Sequence, residues 1–104
     1  MIKLLMLLLL VIFFSGCVSQ PKPDAELAKD MCIKECQKAL DSNQDLNNGP
    51  CLSNQIIKDW VCDIAHSPRQ LVDDNSINQC NAFGSDEAHH FVEVDTGCNL
   101  IRVY

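Results

Sequence analysis

Asp24-Ala25-Glu26-Leu27-Ala28-Lys29-Asp30-Met31-Cys32-Ile33-Lys34-Glu35-Cys36-Gln37-Lys38-Ala39-Leu40 places its apolar residues at helical spacing. Leu27, Met31, Ile33, Cys32, Cys36, Ala39 and Leu40 fall on one broad face, which predicts a helix over about 24–41. Asp24 is the expected N-cap after Pro23, and Glu26 in the first turn suits the positive end of the helix dipole. Cys32 and Cys36 are four apart, so they point the same way from a helix. That geometry is poor for a bond between the two. Each is expected to reach a different downstream cysteine and so staple the helix to the rest of the chain at two points. Cys32, Cys36, Cys51, Cys62, Cys80 and Cys98 allow 15 pairings in principle, and spacing alone does not choose among those that remain.

Downstream, Asn47-Asn48-Gly49-Pro50 ends any helix and starts a turn. Ser53 to Asp59 reads as a short helical turn capped by Ser53. Trp60-Val61-Cys62-Asp63-Ile64-Ala65-His66 alternates as a strand does, with Trp60, Cys62 and Ile64 on one face and Val61, Asp63 and Ala65 on the other. Ser67-Pro68-Arg69 closes that strand. From Gln70 to Ala88 the chain is rich in Asn, Asp and Ser, and reads as an irregular surface loop pinned by Cys80. His90 to Asp95, Thr96-Gly97, and Cys98 to Tyr104 read as a hairpin with a two-residue turn. Pairing Asp95 with Cys98 sets Val92, Val94, Ile101 and Val103 on one face and puts Glu93 diagonal to Arg102, within reach of an ion pair. The expected architecture is α+β: a small disulfide-stapled domain with one N-terminal helix packed on a small antiparallel sheet that ends in a C-terminal hairpin.

Upstream of the helix, Met1-Ile2-Lys3 is a short positive segment, and Leu4 to Phe14 is an unbroken apolar run. Polar Ser15 and Gly16 arrive well before the about 20 apolar residues a bilayer-spanning helix needs, so a signal peptide is favoured over a membrane span. Phe14-Ser15-Gly16-Cys17 resembles the lipobox of prokaryotic lipoproteins, at which a cysteine thiol takes a lipid and the precursor is cut before it. Phe14 stands where leucine is commonest in that family. The resemblance implies a signal peptide over 1–16, lipidated Cys17 with a spacer over 17–23, and an extracytoplasmic domain over 24–104. Cysteine arithmetic agrees. The chain has seven cysteines, and setting Cys17 aside leaves an even six, whereas an odd cysteine in a secreted protein calls for a modification or a partner chain. Val18, rather than Asp, follows the cysteine; by the same resemblance this does not favour retention at a Gram-negative inner membrane.

A single domain of this length buries a modest core, and disulfides make good the shortage at about 2–4 kcal/mol each. In the cytosol the same cysteines would read as metal ligands or redox thiols, and Cys32 with Cys36 would be the redox pair; the leader argues for structural disulfides. The net charge is −6 with neutral histidines, and no Lys/Arg cluster exists. A nucleic-acid role therefore has no electrostatic footprint, and the expected membrane partner is reached through lipid rather than basic residues.

His66, His89 and His90 are the other candidate site residues. Three histidines, or two with a carboxylate such as Asp63 or Glu93, suit zinc with an open position. Against that, adjacent strand residues point to opposite faces, so His89 and His90 are poorly placed for one ion. Ser67 beside His66 makes no triad, and nothing resembles a Gly-x-Ser-x-Gly elbow. No catalytic residue is assigned and no cofactor is implied. His90-Phe91-Val92-Glu93-Val94 is similar to the His-Phe strand of the secreted CAP superfamily, but the chain is too short for that fold and lacks its other motifs. Gly49-Pro50-Cys51-Leu52-Ser53, Trp60-Val61-Cys62-Asp63 and His90 to Asp95 resemble small uncharacterised cysteine-rich lipoproteins, archaeal ones among them. The resulting expectation is a lipid-anchored binding or structural surface module. Trp60 or Tyr104 beside loop 70–88 would supply a contact surface for an unidentified protein or ligand. The alternative is a metal-binding protein or small metal-dependent enzyme.

Overall fold

In the computed structural model, which describes residues 20–104, α1 spans Asp24–Asp41, β1 Cys51–Ile57, β2 Trp60–Ile64, α2 Asn81–Gly84, β3 His90–Val94 and β4 Leu100–Val103. Two 3-10 turns, Leu71–Asp74 and Ser76–Asn78, precede α2. The leader, Cys17 and the first spacer residues lie outside the described residues. The architecture is α+β, with α1 laid on one face of a four-stranded sheet of order β1-β2-β3-β4.

The helix begins and ends where its apolar periodicity does. Pro23, not Asp24, occupies the N-cap position, with no side-chain cap; Asp24 is the first helical residue, and it and Glu26 supply the first-turn anions. The buried stripe is narrower than the sequence suggests. It consists of Ala28, Cys32, Cys36 and Ala39, while Leu27, Met31 and Leu40 are exposed at its flanks. Small residues and half-cystines let the helix backbone approach the sheet closely, which leaves the larger side chains no room beneath it. Against this stripe pack Trp60, Cys62, Ile64, Val92 and Val94, all buried, with Leu46 closing one end.

β1 corrects the expected helical turn. Ser53 Oγ does accept from Gln55 N at 3.1 Å, the local bond a capping serine makes, yet the segment pairs with β2. It does so irregularly, with register shifts on either side of Ser53. Asn54 Oδ1 accepts from Ala82 N at 2.9 Å, and Cys51 is bonded to Cys80. Tertiary pairing overrides a weak local preference.

β2 and β3 are parallel, so the sheet is mixed rather than wholly antiparallel. Parallel neighbours require a crossover of a dozen or more residues, and residues 65–89 supply it. This segment is therefore not merely a surface loop. It folds into the 3-10 turns and α2 across the sheet face opposite α1, where Cys80, Ala82 and Ala88 are buried against Val61.

The C-terminal hairpin β3–β4 forms, with a loop one residue longer than expected. Asp95 N donates to Asn99 O at 2.8 Å and Cys98 N to Asp95 O at 2.9 Å. The loop is thus Thr96-Gly97-Cys98, with Cys98 left-handed at φ 68°, the three-residue pattern of type I turn plus left-handed residue. Asp95 enforces it, because Oδ1 accepts from both Gly97 N and Asn99 N. The register follows as Val92↔Val103, Glu93↔Arg102 and Val94↔Leu100, with an irregularity between Glu93 and Val94. Glu93 is accordingly opposite Arg102, not diagonal to it. Val92 and Val94 are buried in the α1 face, while Ile101 is half-buried and Val103 exposed on the edge strand.

Three disulfides close the framework: Cys32–Cys62, Cys36–Cys98 and Cys51–Cys80. Cys32 reaches β2 and Cys36 reaches the β3–β4 loop, as their shared helix face requires, so the thiol-redox reading of that pair is overturned. Two bonds hold α1 to the sheet, and the third holds the crossover to the opposite face. A domain stapled in this way belongs to an oxidising, extracytoplasmic compartment.

Candidate functional site

The three histidines do not assemble. His66 follows β2, and its Nδ1 lies 2.9 Å from Oδ1 of the buried Asp73, whose Oδ2 accepts from His66 N and Gln70 N at 2.9 Å each. Burial pulls the Asp73 carboxyl upward, but the Gln70 and His66 backbone donors and the His66 ring outweigh it and hold it below its ordinary value. His89 and His90 lie together at the far end of β3. Both approach Asp59, with His89 Nδ1 at 2.6 Å and His90 Nε2 at 3.7 Å. Asp59 sits at φ 72° in the β1–β2 turn and also accepts from His89 N. The side-chain hydrogen bond to Asp59 raises the His89 pKa. The expected opposition of two neighbouring strand residues is relieved because His89 precedes the strand. Among the described residues no group of three His, Cys, Asp or Glu is placed to hold a metal ion. Trp60 is buried and stacked on His90 at 4.5 Å, so it offers no contact surface; Tyr104 is exposed.

A different group does converge, on the sheet face away from α1. The parallel register sets Asp63 of β2 opposite Glu93 of β3, and the hairpin sets Glu93 opposite Arg102 of β4. Beside this polar row runs an apolar one, Val61, Phe91 and Tyr104. Val61 opposes Phe91 in the parallel register, and Phe91 exchanges backbone hydrogen bonds with Tyr104 at 2.9 and 3.1 Å. Phe91 and Tyr104 stack at 5.3 Å, and Phe83 of α2 meets both edge-on. Over the two rows lies a cleft of about 180 Å³, walled by Cys80, Phe83 and Gly84 on one side and Arg69 on another.

The electrostatics of the cleft follow from its position. Asp63 sits in the middle of the sheet, and its Oδ1 is buried with no hydrogen-bond partner among the described residues. Burial first, then the adjacent Glu93 charge, push the Asp63 carboxyl up to about 7, against a smaller opposing pull from Ile64 N and Arg69. Glu93 is buried and does not form the expected ion pair with Arg102. Its Oε2 lies 3.3 Å from Arg69 Nη1, while the Arg102 guanidinium lies over the Phe91 ring at 4.9 Å. Arg69 bridges further, donating to Asp74 Oδ1 at 2.7 Å and Asp73 O at 3.2 Å. A carboxyl that titrates near neutrality beside fixed cations and an aromatic wall can exchange a proton with, or hydrogen-bond to, a small polar guest.

A second depression, of about 280 Å³, lies between His66–Gln70 and the hairpin loop. Its acid, Asp95, is already committed to the N–H groups of Gly97 and Asn99.

Sequence reasoning placed Asp63 as a possible partner of the histidines, and Glu93 as either that or an ion-pair partner of Arg102. The available signal was a single acid inside each of two otherwise apolar strand runs, facing away from the helix. What joins those acids is the parallel pairing of β2 with β3. No known protein family, curated protein or solved structure matches this chain, so the site rests on its own geometry.

Proposed function

We propose that the protein is a lipid-anchored extracytoplasmic module that works by binding at the cell surface, through the cleft on the sheet face opposite α1. The observation that carries this reading is the pairing of all six cysteines of the described domain with one another. Cys17 is left as the odd cysteine of seven, at the point where the lipobox resemblance would put a lipid. Two or three acyl chains on that residue would hold the domain stably, at about 0.8 kcal/mol for each buried methylene. Pro21 and Pro23, both exposed, suit a short stiff spacer between lipid and domain. A rigid framework around a preformed cleft with an unsatisfied acid favours binding over a structural role alone.

The test is the intact mass of the full chain recovered from host membranes, alkylated with and without reduction. Loss of residues 1–16, acyl mass on Cys17 and labelling of the other cysteines only after reduction are expected, with release of Cys17→Ser from the membrane fraction. An intact leader, or cysteines that label without reduction, overturns the reading.

A further inference from the structure

The charges lining the cleft do not cancel in place. Arg69 is committed to Asp74, Glu93 and the Asp73 carbonyl. Glu93 stands between Asp63 and Arg102 in the three-strand row, and it is Arg69 that it engages. Two groups are left over on the same wall, a carboxyl that carries its negative charge only above about pH 7 and a guanidinium. Asp63 has a buried oxygen that accepts from nothing. Arg102, held over Phe91, makes no hydrogen bond or ion pair among the described residues. Neighbouring strands are about 4.8 Å apart, so the two side chains start roughly 10 Å apart at the backbone, on the same sheet face as Glu93.

From this we infer that the cleft binds a small zwitterion, an α-amino acid with an apolar side chain. The ammonium meets Asp63, the carboxylate meets Arg102, and the side chain lies against Phe83 and Phe91. An amine alone would satisfy Asp63 and still face the uncompensated Arg102 guanidinium. An anion alone would pair with Arg102 and lie against Asp63 and Glu93. Only a ligand with both groups satisfies the acid and the base at once, and charge-assisted hydrogen bonds of this kind are about twice as strong as neutral ones. A bidentate grip of carboxylate by arginine adds orientation. The cleft volume of about 180 Å³ suits one residue-sized guest and no polymer. This inference rests on the binding reading above and specifies its ligand.

The experiment is an amide-resolved NMR titration of the isotope-labelled full chain in detergent micelles with L-leucine. Isoamylamine and 4-methylpentanoate serve as the same molecule without its carboxylate or without its amine. Leucine is expected to give saturable shifts at Val61, Glu93 and Arg102, with each half-ligand at least about tenfold weaker, the step that 1.4 kcal/mol produces. Asp63→Asn and Arg102→Gln should each weaken leucine by a similar factor while the spectrum stays dispersed. Equal binding of either half-ligand overturns the zwitterion and leaves the face as a binding surface. Absence of saturable shifts with leucine up to about 10 mM, weaker than any affinity of practical specificity, overturns the site. The membrane and mass result stands or falls separately from both.

Discussion

A Cβ built on Gly49 would lie 2.6 Å from Oδ1 of Asp73, and 3.0 Å from the carbonyl oxygen of Ile64. Gly49 also adopts φ +67°, where an L side chain is strained. The turn after α1 is therefore clamped against the acid that orders the crossover. Gly49→Ala should destabilise the domain by about 2–3 kcal/mol, combining left-handed strain with displacement of a buried carboxylate. Gly84, where nothing lies within 4 Å of a built Cβ, is the control: Gly84→Ala should stay within about 0.5 kcal/mol of the parent. Denaturant unfolding under non-reducing conditions measures both, and equal effects would refute the clamp.

Asp63 should make the domain less stable as pH rises. Its folded carboxyl titrates at about 7, whereas an unfolded aspartate ionises near about 3.9. The folded state thus holds the proton more tightly. Its contribution is complete below about pH 4 and is lost progressively up to the folded value. Glu93 and Asp73 push the same way, and Arg69 opposes them. Asp63→Asn keeps the shape and removes the titration. The variant should exceed the parent by on the order of 2–4 kcal/mol at pH 8 and nearly match it at pH 4. A difference that does not change between those pH values would show that Asp63 is not a buried, proton-holding acid.

Much of this architecture is legible in the chain, for reasons that separate local from non-local physics. α1 announces itself because Leu27, Met31, Cys32, Cys36, Ala39 and Leu40 fall at helical spacing, and the same spacing disfavours a Cys32–Cys36 bond. β2 and β3 show period-2 alternation. β1 does not, since Ser53-Asn54-Gln55 is polar and makes a real capping contact at Ser53. Only pairing with β2 and the Cys51–Cys80 bond extend it. The hairpin register slips because Asp95 binds two loop N–H groups, an Asx preference that competes with the two-residue turn. The cleft is the least legible part. Its two acids become neighbours only when residues 65–89 return the chain parallel to β2, and no local pattern encodes that return.

His89 tests the far end of the sheet. Its hydrogen bond with Asp59, then the Asp59 charge, raise its pKa, and the same bond lowers that of Asp59. A proton-detected pH titration should show His89 ionising above the ordinary histidine value of about 6.5. In Asp59→Asn, which tolerates the left-handed turn, it should return to that value. Being raised, the His89 pKa favours folding at pH below the ordinary value and ceases to do so as pH climbs past the folded one. A titration unchanged by Asp59→Asn would show that the pair does not form in solution.

The disulfides permit a comparison in which chain entropy is held constant. Cys32–Cys62 and Cys51–Cys80 span separations of 30 and 29 residues, so the loop-closure cost of losing either is about 3.6 kcal/mol in the chain-entropy description. Their surroundings differ. Cys32 and Cys62 are wholly buried between α1 and the sheet, while Cys51 is half-buried on the crossover side. Replacing each pair by alanine should therefore cost more at Cys32–Cys62, by about 1–2 kcal/mol, because two sulfurs are removed from a packed core that cannot collapse fully. Paired unfolding curves without reductant measure the difference. Equal losses would mean that the bonds act almost entirely on the unfolded chain, and that the helix–sheet interface owes little to the packing of its half-cystines.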